Sequence, residues 1–156
     1  MNLIECLTRN QDQIIRAAFD SLLRSNLKHY SASGANENWE RIEKLFDLSL
    51  NSIKDKSLVD MIDYSEKIAA ERYNSGYDLH EVHTAYNVLE EEIWKVILNE
   101  LDPKDIGKAL GLVSTILGTG KETLALTYIS LTGKSKTKSL DLSELFRGNK
   151  SNRLPS

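Results

Sequence analysis

The chain has 156 residues, 40% of them hydrophobic and 28% charged, enough for one core with short extensions. Two prolines and eight glycines leave too little punctuation for an all-β fold and favour long helices. The formal charge of −3 hides a split, because residues 1–132 carry 14 basic against 21 acidic side chains whereas residues 133–156 carry six against two; neither the total nor the acidic body offers the basic footprint of nucleic-acid binding.

The first predicted segment, 3–29, places Leu3, Leu7, Ile14, Ala18 and Leu22 on one helical face and breaks at "SASGAN". It includes Cys6, the only cysteine, which fits a reducing compartment. Its start, "MNLIECLTRNQDQ", is interrupted by acidic and polar residues and does not read as a signal peptide. A second segment runs from about Asn36 to Lys54, with Trp39, Ile42, Phe46, Leu50 and Ile53 stepping by three or four. The third carries Leu58, Met61, Ile62, Ser65, Ile68, Ala69 and Tyr73 and stops at Gly76, where a left-handed residue can end a helix.

The fourth segment spans 79–100. Asp102 and Pro103 open the fifth, since aspartate caps free amides and proline loses nothing at the first helical position. Along it, Ile106, Leu110, Val113, Leu117, Gly120, Leu124, Tyr128 and Leu131 form a near-heptad seam that serves either the chain's own core or a dimer. Gly107, Gly111, Gly118 and Gly120 thin the same helix. Its most apolar run, "ALGLVSTILG", is about half the ~20 residues a bilayer requires. These features predict a cytoplasmic chain with no membrane partner. The fold expected is all-α, a bundle of about five helices with globin-like crossing as one option, comprising residues 1–132 and followed by a flexible basic tail at 133–156.

Motifs carrying chemistry are few. "LGTGKET" fails as a phosphate loop, because Thr115 stands where the first glycine belongs, Glu122 replaces the Ser or Thr, and the context is helical. In "SGYDLHEVHTAY", His80 and His83 are three apart, one short of the zinc-protease spacing, and no third ligand is marked. The stronger reading makes Asp78 an N-cap with Glu81 its reciprocal partner, His80 exposed on the first turn and His83 at the core boundary; metal or haem at these histidines is the minor alternative. Glu90, Glu91 and Glu92 are consecutive, so they fan around the helix and read as a solvated face beside Lys95 rather than an acid/base pair. No nucleophile and base are paired by spacing, and no cofactor is called for.

The run "AAERYNSGYDLHEVHTAYNVLEEEIWKVILNEL" resembles the middle of the RsbRD N-terminal domain family: a glycine turn at Gly76, Leu79 and Val82 at the helix start, then Tyr86 and the acid-flanked Trp94. "ALTYIS" is similar to that domain's Ala-x-x-Tyr ending. The resemblance covers residues 10–132 and implies a non-catalytic helical input domain of the kind found at the front of stressosome regulators. Family members continue into a STAS output domain. Here only the tail follows, so phosphorylation by an RsbT-like kinase is not carried over.

The tail holds Leu140, Leu142, Leu145, Phe146 and Arg147 after a Ser/Lys linker. Residues 139–147 can form an amphipathic docking element. The expectation is a regulatory or adaptor protein that binds a protein partner of unspecified identity and forms a homodimer. The alternatives are a helical sensor for a small molecule, metal or haem, and an accessory subunit of a metabolic complex.

Overall fold

The computed structural model describes residues 1–25, 27, 29 and 34–135. Those residues form an all-helical bundle with no strand, 88% of them helical. The order is α1 (Leu3–Arg9), α2 (Gln11–Arg24), α3 (Ala35–Asp55), α4 (Val59–Asn74), α5 (Leu79–Glu100) and α6 (Pro103–Ser135).

Where one helix was expected over 3–29 there are two. Asn2 opens α1 with a capping box: its side chain accepts from the Glu5 amide at 2.8 Å, and the Glu5 carboxylate accepts from the Asn2 amide at 3.2 Å. The break falls at Asn10, which leaves helical geometry (φ −104°, ψ 13°). Its Nδ2 donates to the Cys6 carbonyl at 2.8 Å and to Glu100 Oε1 at 3.0 Å. A short amide side chain here competes with the helix for its own backbone, and a carboxylate ninety residues away holds it in that competing geometry.

α3 ends at Lys56, which takes the left-handed conformation (φ 54°, ψ 45°). The α4–α5 turn uses glycine for the same purpose: Gly76 has φ 88°, the Tyr77 amide donates to the Arg72 carbonyl at 2.9 Å, and the Gly76 amide donates to the Tyr73 carbonyl at 3.1 Å. That pair of bonds is the Schellman pattern. Pro103 is the first residue of α6, as expected of a proline in that position.

α6, about 50 Å long at 1.5 Å per residue, packs against α4 and α5, while α5 packs against α2 and α2 against α3. The seam is where these contacts are made: Val113, Leu117, Leu124 and Tyr128 are buried. At Gly120 the helices meet without room for a side chain, since a Cβ would lie 2.7 Å from Tyr86 Cε2 and 3.0 Å from Met61 Sδ. Beside it, the Ser65 and Tyr86 hydroxyls share a hydrogen bond of 2.8 Å. Most of the seam is thus core within the chain, while Ile106, Leu110 and Leu131 remain half-buried. Gly107, Gly111 and Gly118 face outward, with nothing within 4 Å of where a Cβ would stand.

Candidate functional site

Two regions gather chemistry, and the first surrounds the "SGYDLHEVH" stretch. Asp78 Oδ1 accepts from the Glu81 amide at 3.3 Å and Glu81 Oε1 accepts from the Asp78 amide at 3.1 Å, closing a capping box at the start of α5. Glu81 does more than cap. It is buried, accepts from the His29 amide at 2.9 Å through Oε2, and receives His29 Nδ1 at 2.7 Å on Oε1. Burial alone would raise its pKa, but the His29 and Asp78 amides and the His29 ring outweigh burial and hold the carboxyl below its ordinary value.

His29 also stacks on Tyr77, ring centroids 4.7 Å apart. The guanidinium groups of Arg41 and Arg72 lie 5.5 and 5.4 Å from the Tyr77 ring centroid. Arg41 donates to the Tyr77 hydroxyl at 3.0 Å and pairs with Glu37. The Tyr128 hydroxyl donates to the Tyr77 carbonyl at 2.8 Å, which ties α6 to the turn. Nearby, burial pushes the Tyr64 phenol above its usual pKa. Arg72 is buried, and its Nε has no hydrogen-bond partner among the described residues.

The candidate metal residues separate. His80 is exposed on the first turn of α5. His83 Nε2 lies 3.1 Å from the Lys121 carbonyl; a carbonyl only accepts, so Nε2 carries the proton and cannot face a metal there. Among the described residues no three His, Cys, Asp or Glu side chains cluster as metal ligands. Cys6 is fully buried, and burial followed by the Glu100 charge raises its pKa, which suppresses the reactive thiolate.

The glutamate run requires a correction. Glu91 is exposed and Glu92 pairs with Lys95 at 2.9 Å, but Glu90 is not part of a solvated face. It is buried against α6, where Lys121 Nζ lies 2.7 Å from its Oε1 and 3.0 Å from Asn87 Oδ1. The i, i+4 and i+7 positions of α5 point His83, Asn87 and Glu90 toward the same residue of α6, an ion pair that spacing within one helix could not reveal.

The second region lies at the opposite end of the bundle. The start of α1, the end of α3 and the first half of α6 enclose an open groove of about 730 Å³. Leu3, Ile4, Ile53, Leu58, Leu112 and Ile116 form its apolar wall, and the exposed Lys56 and Lys108 border it. An adjoining hollow of about 460 Å³ shares Asn2, Leu3, Lys108 and Leu112 and continues to Leu101. Neither lysine forms an ion pair among the described residues. Sequence reasoning missed this groove. In sequence Leu112 is only an apolar residue one step off the seam; its 40% exposure emerges in the structure.

Leu140, Leu142, Leu145, Phe146 and Arg147, the residues expected to dock a partner, lie outside the described residues, as does the tail after α6. Among the described residues no helix is long and apolar enough to cross a membrane. Comparison with protein-family models, curated proteins and solved structures gives no match.

Proposed function

We propose that this chain is a non-catalytic helical regulatory or adaptor module that acts by protein–protein contact, in the manner its resemblance to RsbRD N-terminal input domains implies. The observation that supports this most directly is the groove between α1, α3 and α6: an apolar trough bordered by two lysines, of the form that accepts the apolar face of an amphipathic segment. The turn around Tyr77, by contrast, directs its donors and acceptors at one another. Its role in this reading is to hold the bundle together.

The test is affinity capture with the full chain and with a Leu112→Asp variant. Leu112 is already 40% exposed, so the substitution leaves folding intact, which circular dichroism checks. A partner retained by the parent chain and lost by Leu112→Asp supports the reading. Equal retention by both removes the groove from it.

The groove volume favours a second reading as well. At about 730 Å³ it falls within the ~300–1,000 Å³ of small-molecule sites, and its two lysines suit an apolar molecule with an acidic head. Native mass spectrometry of the purified chain, showing a bound small molecule released by Leu112→Asp, would favour the sensor over the adaptor.

A further inference from the structure

We infer that the groove between α1, α3 and α6 is filled by residues 139–147 of a second copy of this chain. The inference rests on the adaptor reading and names what the groove takes. The chemistry of the two surfaces is the first support. Within residues 133–156, the only acidic side chains are Asp141 and Glu144, set among Leu140, Leu142, Leu145 and Phe146. The groove offers the complement: an apolar wall with Lys56 and Lys108 beside it. Four apolar anchors with two interspersed carboxylates match an apolar trough with two cations, and the basic linker residues Lys134, Lys136 and Lys138 remain for the acidic body.

Chain length decides which copy supplies the segment. The groove meets α6 between Lys108 and Ile116, and α6 reaches Ser135. From Ser135 back to the level of Leu112 is 23 residues of helix, about 34 Å. Residue 139 lies only four residues beyond Ser135, about 14 Å of fully extended chain. With 139–147 as an amphipathic turn of helix, the far end of the segment extends about 26 Å from Ser135, still short of Leu112. Only a wholly extended tail brings Leu145 there, and it leaves Leu140 and Leu142 outside. A chain therefore cannot seat all four anchors in its own groove.

A second copy can. Beside the groove, the outward face of α6 carries the exposed Leu126 and Ile129 together with Gly111 and Gly118, so two α6 helices can approach closely there. If they cross antiparallel near Thr119, Ser135 of one copy stands opposite the start of α6 in the other. That is the end of the groove bordered by Leu101 and Lys108, within reach of the linker. Each copy then completes the other's groove, an isologous arrangement with two equivalent sites.

The experiment uses the full chain. Light scattering at micromolar concentration is expected to give twice the 17.6 kDa of one chain. Leu145→Ala with Phe146→Ala is expected to weaken self-association about a hundredfold. Lys108→Glu should weaken it about tenfold, and adding Glu144→Lys should restore it. Mixing a Leu112→Cys chain with a Leu145→Cys chain under oxidation should give a cross-linked pair containing one of each. The buried Cys6 can stay in place, and the Leu112→Cys chain alone controls for contact across α6.

A one-chain mass for the parent protein overturns the inference, as does a chain carrying both cysteines that cross-links to itself as a monomer. A small molecule in the groove of a one-chain species overturns it too. If a different protein is captured through the groove while the parent chain stays monomeric, this inference fails and the adaptor reading stands. If Leu112→Asp leaves both capture and mass unchanged, both fail.

Discussion

The two ends of this bundle are built from the same helices and treat their polar groups in opposite ways. At the α4–α5 turn, Glu81 accepts from two amides and an imidazole, Arg41 from α3 reaches the Tyr77 hydroxyl, and Tyr128 from α6 reaches the Tyr77 carbonyl. At the other end, α1, α3 and α6 diverge around an apolar trough whose lysines have no ionic partner among the described residues. Burying a polar group is tolerable only when its bonds are made. The turn meets that condition within the chain, with Arg72 Nε as the exception. The groove leaves apolar surface in water, a cost that a bound segment would remove.

The contrast predicts that substitutions at the turn change stability whereas those at the groove change association. Glu81→Ala should show the largest effect. It leaves the His29 and Asp78 amides and the His29 ring without their acceptor, so urea denaturation should report a loss of about 3 kcal/mol. A loss below about 0.5 kcal/mol would mean that water replaces the carboxylate freely and that the turn is no more self-contained than the groove.

The same carboxylate gives a pH dependence with a fixed sign. Its pKa is held below the ordinary value in the folded chain, so its contribution is complete above the unfolded pKa and is lost as pH falls through the folded one. Stability should therefore decline on acidification from the ordinary carboxylate range downward. Glu81→Gln should flatten that decline in denaturation midpoints taken across acidic pH.

Asp78→Ala removes one acceptor from the first turn of α5 and should cost about 1 kcal/mol by the same measurement. Lys56→Gly should act in the opposite direction. A lysine at φ 54° carries a backbone penalty that glycine avoids, so thermal unfolding should show a gain of about 0.5 to 1 kcal/mol, while self-association weakens through loss of a groove cation. At the small end, His80→Ala and Leu112→Ser, both at exposed positions, should each shift stability by less than about 0.5 kcal/mol. A larger loss for Leu112→Ser would make the groove wall part of the core.

What the sequence disclosed follows the range of the interaction. The start of α5 was legible because Asp78 and Glu81 are three residues apart, and the seam of α6 because its period is local. Asn10 looked like one more residue of a long helix, since the carboxylate that holds it is Glu100. Glu90 looked solvated because its partner, Lys121, comes from the next helix. His29 fell in a stretch read as the end of a segment, although it supplies the donors that Glu81 accepts. The groove was invisible for a related reason: it is bounded by three elements far apart in the chain, and an apolar residue facing empty space has the same periodic signature as one facing a neighbour. The tail's anchor residues were conspicuous in sequence because no core periodicity accounts for them.

The hydroxyl of Tyr128 on the Tyr77 carbonyl bears on how α6 comes apart. Tyr128 is the last buried residue of the seam; beyond it Ile129 and Ser130 are exposed and Leu131, Thr132 and Gly133 half-buried. α6 is continuous in geometry, but the change in burial predicts two regimes of amide protection along it. Amides from Val113 to Tyr128 should exchange only when the helix leaves α4 and α5, close to global opening, and those after Tyr128 by fraying, which native-state hydrogen exchange would read. The phenol sits at the boundary between them, where its bond to the Tyr77 carbonyl would oppose fraying from the end of the helix. The Tyr128 ring also meets Tyr73 edge-on at 5.5 Å, so the end of α6 is coupled both to the turn around Tyr77 and to the last turn of α4.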